Sequence, residues 1–224
     1  MSTENKEKSK GGFFKKVIYT IIVLAVIGSF VGEDEGDNSQ QSNIAVPADQ
    51  KSFVGIFQSH KNEYSSAPNE LKKSLVRSKR ADAFKTFFNG SLSVQNWIGR
   101  LGDVQTTGEG NAYFTVELLG DRALEVGTTN NEFSDTLGDS TLIAQGSPLY
   151  TTLSELSPDT LVVFNATFIL DSDTDEGGDY IEEQFAFTEN GAMKSPCFHV
   201  RFTDIKKYVE PEVQADSQPQ PVVE

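Results

Sequence analysis

The hydrophobic repeat of this chain changes period once, near residue 90, and that change limits the fold more than any other feature. Phe53, Ile56, Phe57, His60 and Tyr64 recur at i, i+3, i+4, i+7 and i+11, the stripe of one helix face. The stretch "SSAPNE" interrupts the stripe, and Pro68 suits the first turn of a second helix running to about Phe88. Its apolar residues are Leu71, Leu75, Val76, Ala83, Phe84, Phe87 and Phe88. Its basic residues Lys72, Lys73, Arg77, Lys79, Arg80 and Lys85 are spread around the helix, so its amphipathicity is poor. Residues 48–90 are therefore predicted to form a helical hairpin. His60 continues the apolar stripe of the first helix, which implies partial burial.

From residue 95 the period is two. Strands are predicted in "VQNWIGRLGDV", "AYFTVELL", "ALEVGTT", "TLVVFNATFILD", "YIEEQFAFTEN" and "CFHVRFTDIKKY". Several are rich in the β-branched and aromatic residues that a pleated surface prefers. "GEGN" is a tight connection between the first two, and "ENGAMKSP" separates the last two. Ser147 before Pro148 is a helix-start signal, so "SPLYTTLSEL" is predicted to be one short helix. Three strands, a short helix, then strands that close back is the order of an OB-like Greek-key β-barrel, expected over residues 91–208. Gly99 stands where a long strand must bend sharply around such a barrel.

Two stretches carry a resemblance to a known family: "NWIGRLGDVQTTGEGNAYFTVEL", as a first hairpin, and "LSPDTLVVFNATF", as the turn into the fourth strand. Residues 95–208 resemble the extracytoplasmic OB-fold proteins of bacteria, described as anticodon-binding-like or nucleic-acid-binding lipoproteins. The resemblance implies a barrel that binds a ligand, and it brings no catalytic signature. This chain departs from the lipoprotein members because no cysteine stands directly after its N-terminal apolar segment.

That segment, "VIYTIIVLAVIGSFVG", follows Lys6, Lys8, Lys10, Lys15 and Lys16 and precedes "EDEGD". Residues 13–32 would span about 30 Å as a helix, the thickness of a bilayer core. They are read as a transmembrane signal anchor behind a cytoplasmic tail of residues 1–12, with the bulk of the chain extracytoplasmic, in the periplasm of a Gram-negative cell. A cleaved signal peptide is the alternative, since the strict apolar core from Val17 to Ile27 is short enough for one. Residues 33–47 are read as a flexible linker, and residues 209–224, with three prolines, as a disordered tail. The overall class is thus α+β: transmembrane helix, helical hairpin, barrel.

Charge is distributed unevenly along the chain. Residues 51–89 carry a net +5 and residues 90–224 a net −17, within a total of −14. The acidic barrel repels phosphate backbones, and the basic helix is expected to match it intramolecularly. One cysteine excludes an intrachain disulfide, and two histidines are too few for a histidine-rich metal site.

The stretch "DSDTDEGGDYIE" sets Asp171, Asp173, Asp175, Gly177, Asp179 and Glu182 at positions 1, 3, 5, 7, 9 and 12 of an EF-hand loop. Position 6, where that loop needs glycine for its turn, is Glu176, and the flanks read as strands. An acidic hairpin tip is the favoured reading. Weak calcium binding by Asp171, Asp173, Asp175, Asp179 and Glu182 is the alternative, and no other cofactor is expected.

Cys197 and His199 alternate onto one face of the last strand, a spacing that suits a nucleophile and its base, yet no third group is marked to orient the imidazole. No phosphate-binding glycine loop, nucleophile elbow or zinc-protease helix is present. The chain is therefore expected to be non-enzymatic: a membrane-anchored binding module whose ligand is a protein, peptide or saccharide of the cell envelope. A single-stranded nucleic acid is the alternative ligand. Trp97, Arg100, Tyr113, Tyr180 and Arg201 are the candidate ligand contacts.

Overall fold

The structure, a computed structural model, describes residues 44–135, 140–171, 179–183 and 188–210. Residues 44–224 form one unit, and the expected membrane helix, at residues 13–32, lies outside the described residues. Among the described residues no helix is long and apolar enough to cross a membrane.

The hairpin forms as its period dictates. Helix α1 runs Ala48–Ser66 and α2 runs Glu70–Phe88. Pro68 stands outside α2, and the start is set by Asn69, whose side chain accepts from the Lys72 N–H at 3.0 Å. Asn89 ends the helix in the left-handed conformation (φ 44°), a position that asparagine tolerates.

After the hairpin come β1 (Ser93–Leu101), β2 (Gln105–Thr106), β3 (Ala112–Tyr113), β4 (Thr115–Leu118) and β5 (Glu125–Gly127). A short α3 (Glu132–Ser134) and α4 (Pro148–Ser154) follow, then β6 (Leu161–Phe168), α5 (Glu189–Lys194) and β7 (Cys197–Lys207). Ser147 caps α4 as its sequence predicts, accepting from the Tyr150 N–H at 3.2 Å. Five strands close a barrel in the order β1-β4-β5-β7-β6, while β2 and β3 form a separate two-stranded ribbon. All barrel pairs are antiparallel except β5 with β7, which is parallel.

One predicted strand is corrected. "YIEEQFAFTEN" contributes, among its described residues, only isolated bridges at Ile181 and Glu183, to Leu170 and Phe198. Its end is instead the start of α5, capped by Thr188, which accepts from the Gly191 N–H at 3.1 Å.

Closure relies on two bulges that flank β6. In β1 the register shifts between Val94 and Trp97, where Asn96 takes φ 56° and its N–H reaches Asn165 Oδ1 at 2.7 Å. In β7 a shift at Asn165/Ala166 leaves Thr203 unpaired. Each extra residue bends its strand, which a small barrel needs in order to close.

Hairpin and barrel share one core. Phe53 is fully buried, with its ring centroid 4.7 Å from Phe84 of its own hairpin. It also lies 5.1 Å from Trp97 and 5.3 Å from Phe168 of the barrel. At the N-terminal end of α1, buried Gln50 accepts from the Ile98 N–H at 2.7 Å and donates to Ile98 O at 2.6 Å and Leu119 O at 3.2 Å. The amide thus satisfies backbone groups where β1 leaves its neighbour, as buried polar groups require.

Candidate functional site

Two polar features stand out, one buried and one open. The buried one joins α2 to the chain just before α5. Arg80 is 0% exposed, yet its guanidinium donates to Ala192 O at 2.7 Å, Asp179 Oδ1 at 2.7 Å and Glu183 Oε1 at 2.5 Å. Arg77 adds two bonds to Asp179 Oδ2, at 3.0 and 2.8 Å. The basic helix therefore meets acidic residues of its own chain, as the charge distribution suggests, and it does so inside the protein.

The two carboxylates of this cluster differ. Burial alone would raise the Asp179 carboxyl, but Arg80 and Arg77 overcome it and hold the group below the ordinary range. Glu183 shares Arg80 with Asp179, and its second oxygen has no partner among the described residues. Burial, with the Asp179 charge adding and Arg80 opposing, pushes it up to about 8. The signs of their pH linkage are opposite. The Asp179 contribution to stability is lost as pH falls through its depressed value. The Glu183 contribution is full below its ordinary 4.5 and is lost as pH rises through about 8. The urea midpoint of the wild type is therefore expected to fall across that window, and Glu183→Gln is expected to flatten the slope. An unchanged slope in the variant would refute the assignment.

The open feature is a cavity of about 350 Å³ on the outside of the barrel, lined by Asp103, Gln105, Tyr113, Phe114, Thr115, Thr128 and Asn130. The β2–β3 ribbon forms one wall, with Gln105 and Tyr113 directly paired and the tyrosine O–H donating to Gln105 Oε1 at 2.6 Å. Thr128 continues β5 and accepts the Phe114 N–H at 3.2 Å. Glu132 ties the ribbon to the segment after β5, accepting from Thr107 Oγ1 and from Asn111 Nδ2 (3.0 Å). The cavity is thus braced on both sides and carries no basic side chain.

Next to it the barrel face is acidic. Glu117 of β4 and Glu125 of β5 are direct cross-strand partners, an arrangement in which like charges repel. Burial, then the Glu117 charge, raises the Glu125 carboxyl above its ordinary value. Cys197 pairs with Glu125 in the parallel register. Burial, with Glu125 and Glu183 adding, pushes its thiol up, the opposite of what a nucleophilic thiolate needs. His199 is buried, with Nδ1 3.4 Å from Glu182 Oε1.

The candidate ligand contacts predicted from sequence fall in different places. Trp97 is fully buried, with its indole N–H donated to Asp49 Oδ2 at 2.9 Å, so it offers no surface for stacking. Tyr180 is half-buried against Phe88, with centroids 6.2 Å apart. Arg100 pairs in register with Glu117, and exposed Arg201 donates to Ser140 O at 3.0 Å. Of the five, Tyr113 alone lines the cavity. Asp103, Gln105, Thr115, Thr128 and Asn130 carried no sequence signal, because polar residues beside turns look alike.

For the suggested calcium set, Asp173 and Asp175 lie outside the described residues. Asp179 is occupied by two arginines, and Glu182 faces His199. The Asp171 N–H reaches Tyr180 O at 3.3 Å, and Leu170 bridges Ile181 antiparallel, while residues 172–178 lie outside the described residues. Among the described residues no group of three carboxylate, histidine or cysteine side chains is arranged to hold a metal.

No protein-family model, no curated protein and no solved structure matches this chain.

Proposed function

We propose that this protein is a binding module of the cell envelope: an OB-type Greek-key barrel, anchored by residues 13–32, that takes a protein, peptide or saccharide in the cavity beside β3, β4 and β5. The OB reading is supported by the strand order, in which the third and fifth barrel strands pair in parallel. It is also supported by the helix α4 between the third and fourth. Barrels of that kind bind ligands on the face of their second and third strands. In this chain those strands are β4 and β5. The extracytoplasmic assignment rests on the lysines and apolar run of the N-terminus.

The observation that carries the ligand class is the lining of the cavity: one carboxylate, two amides, hydroxyls and the Tyr113 ring, with no cation. Such a lining hydrogen-bonds neutral polar groups and gives a phosphate nothing to pair with. Single-stranded nucleic acid, which the family resemblance favours, would have to approach Glu117 and Glu125.

The variant that tests the reading is Tyr113→Ala. It is expected to weaken binding of an envelope peptide or saccharide at least about tenfold, since aromatic anchors dominate small binding sites, without lowering the thermal midpoint. Unchanged affinity in Tyr113→Ala, with loss in Arg100→Ala or Arg201→Ala, would contradict it.

A further inference from the structure

We infer, taking the cavity beside β3, β4 and β5 as the ligand site, that its ligand is a basic peptide, whose backbone lies in the cavity while a lysine or arginine side chain extends along β4 to Glu117 and Glu125. The burial pattern of β4 alternates, so Thr115 and Glu117 share its outer face. Two residues apart on a strand, they stand about 7 Å from one another, the span of an extended lysine side chain. Thr115 lines the cavity, and its side chain also hydrogen-bonds the Glu125 carboxyl, against the upward push of burial and of the Glu117 charge. The acidic pair therefore begins where the cavity ends.

The pair has no counter-ion of its own. Among the described residues no ion pair reaches Glu117, Glu125 or the Asp103 of the cavity lining. Arg100, in register with Glu117, turns to Asp159 O at 3.5 Å instead. A ligand cation placed between the two glutamates relieves the repulsion of directly opposed like charges. An ammonium or guanidinium is satisfied by one or two carboxylates, whereas the described residues group no three carboxylate, histidine or cysteine side chains for a metal. In the cavity the amides of Gln105 and Asn130 suit peptide N–H and C=O groups, and the Tyr113 ring attracts a cation over its face. A neutral saccharide would use the same amides but leave the glutamates uncompensated, and an acidic peptide would be repelled. Residues 90–224, at a net −17, add a field that steers cations towards the barrel.

The test is fluorescence anisotropy on the full chain in uncharged detergent. The labelled probes are a short peptide alternating lysine with glycine, its norleucine and glutamate counterparts, and a neutral oligomer of N-acetylglucosamine. The lysine peptide is expected to bind about tenfold more tightly than the norleucine peptide, and the glutamate peptide not to bind. The double variant Glu117→Gln, Glu125→Gln is expected to erase the difference between lysine and norleucine. It removes a repulsion, so its fold is kept, which an unchanged thermal midpoint checks. Tyr113→Ala is expected to weaken both peptides, and Glu155→Gln, an exposed acid at the end of α4, to change neither. A lysine peptide indifferent to the double variant, or weakened as much by Glu155→Gln, overturns the inference, its binding being the pull of the overall charge. A saccharide or norleucine peptide that binds as tightly, and is lost in Tyr113→Ala, overturns it too, yet leaves the cavity as the ligand site. If Tyr113→Ala changes the binding of no probe, the cavity falls as the ligand site and the basic peptide with it.

Discussion

Arg80→Met is expected to lower the free energy of unfolding by about 3–5 kcal/mol, the cost of removing one partner from a buried ion pair. The guanidinium bonds Asp179, Glu183 and the Ala192 carbonyl, and its Cζ lies 5.9 Å from the Phe84 ring centroid and 5.8 Å from that of Phe198. Methionine keeps much of the packing and removes every bond. Asp179 would keep only Arg77, and the buried Glu183 carboxyl would lose the donor to its Oε1. Equilibrium urea unfolding measures the loss. The triple variant Arg80→Met, Asp179→Asn, Glu183→Gln should recover a large part of it, because the desolvated charges leave together. A loss under about 1 kcal/mol in the single variant, the range of exposed pairs, would contradict the burial of this cluster.

Gly99→Ala is expected to cost about 3 kcal/mol or more, at the upper end of overpacking effects. A Cβ built on Gly99 would stand 2.4 Å from the Glu117 carbonyl oxygen and 2.4 Å from Val116 Cγ1. The first contact is backbone, which cannot swing aside as a side chain can. Gly99 pairs with Leu118 on one side and Val162 on the other, so relief would have to open β1 from β4 or β6. Thermal unfolding and the amide spectrum report the outcome. A variant as stable as the wild type would mean that β1 and β4 do not approach so closely.

Much of this fold was legible in the sequence because local and global signals agree. The apolar stripe from Phe53 to Tyr64 predicts α1, while the bend expected at Gly99 is replaced by a bulge at Asn96, and Gly99 instead lets β1 approach β4 closely. Phe198, Val200 and Phe202 of β7 alternate and are buried, and His199, on the other face, is buried as well. What was not legible depends on contacts between distant residues. Arg80 looks like any base on a poorly amphipathic helix, and only its approach to Asp179 and Glu183, about 100 positions on, makes it a core residue. The stretch "YIEEQFAFTEN" alternates as a strand does, but its described residues make only isolated bridges at Ile181 and Glu183, and Glu183 bonds Arg80 of α2. Its end could have been read, since Thr188 before "ENG" is a helix-start signal. The cavity was illegible except at Tyr113, because its walls come from three separate turns and strands.

The most direct test of the ligand assignment is an amide chemical-shift map of residues 44–224. The protein would be titrated in turn with envelope saccharides, envelope peptides and a single-stranded oligonucleotide at low salt. The account predicts that a saccharide or peptide shifts the amides of Gln105, Tyr113, Thr115, Thr128 and Asn130, and that the oligonucleotide shifts none. An oligonucleotide that moves the β4–β5 face at low salt and releases it as salt rises would contradict the account and make this a nucleic-acid-binding barrel.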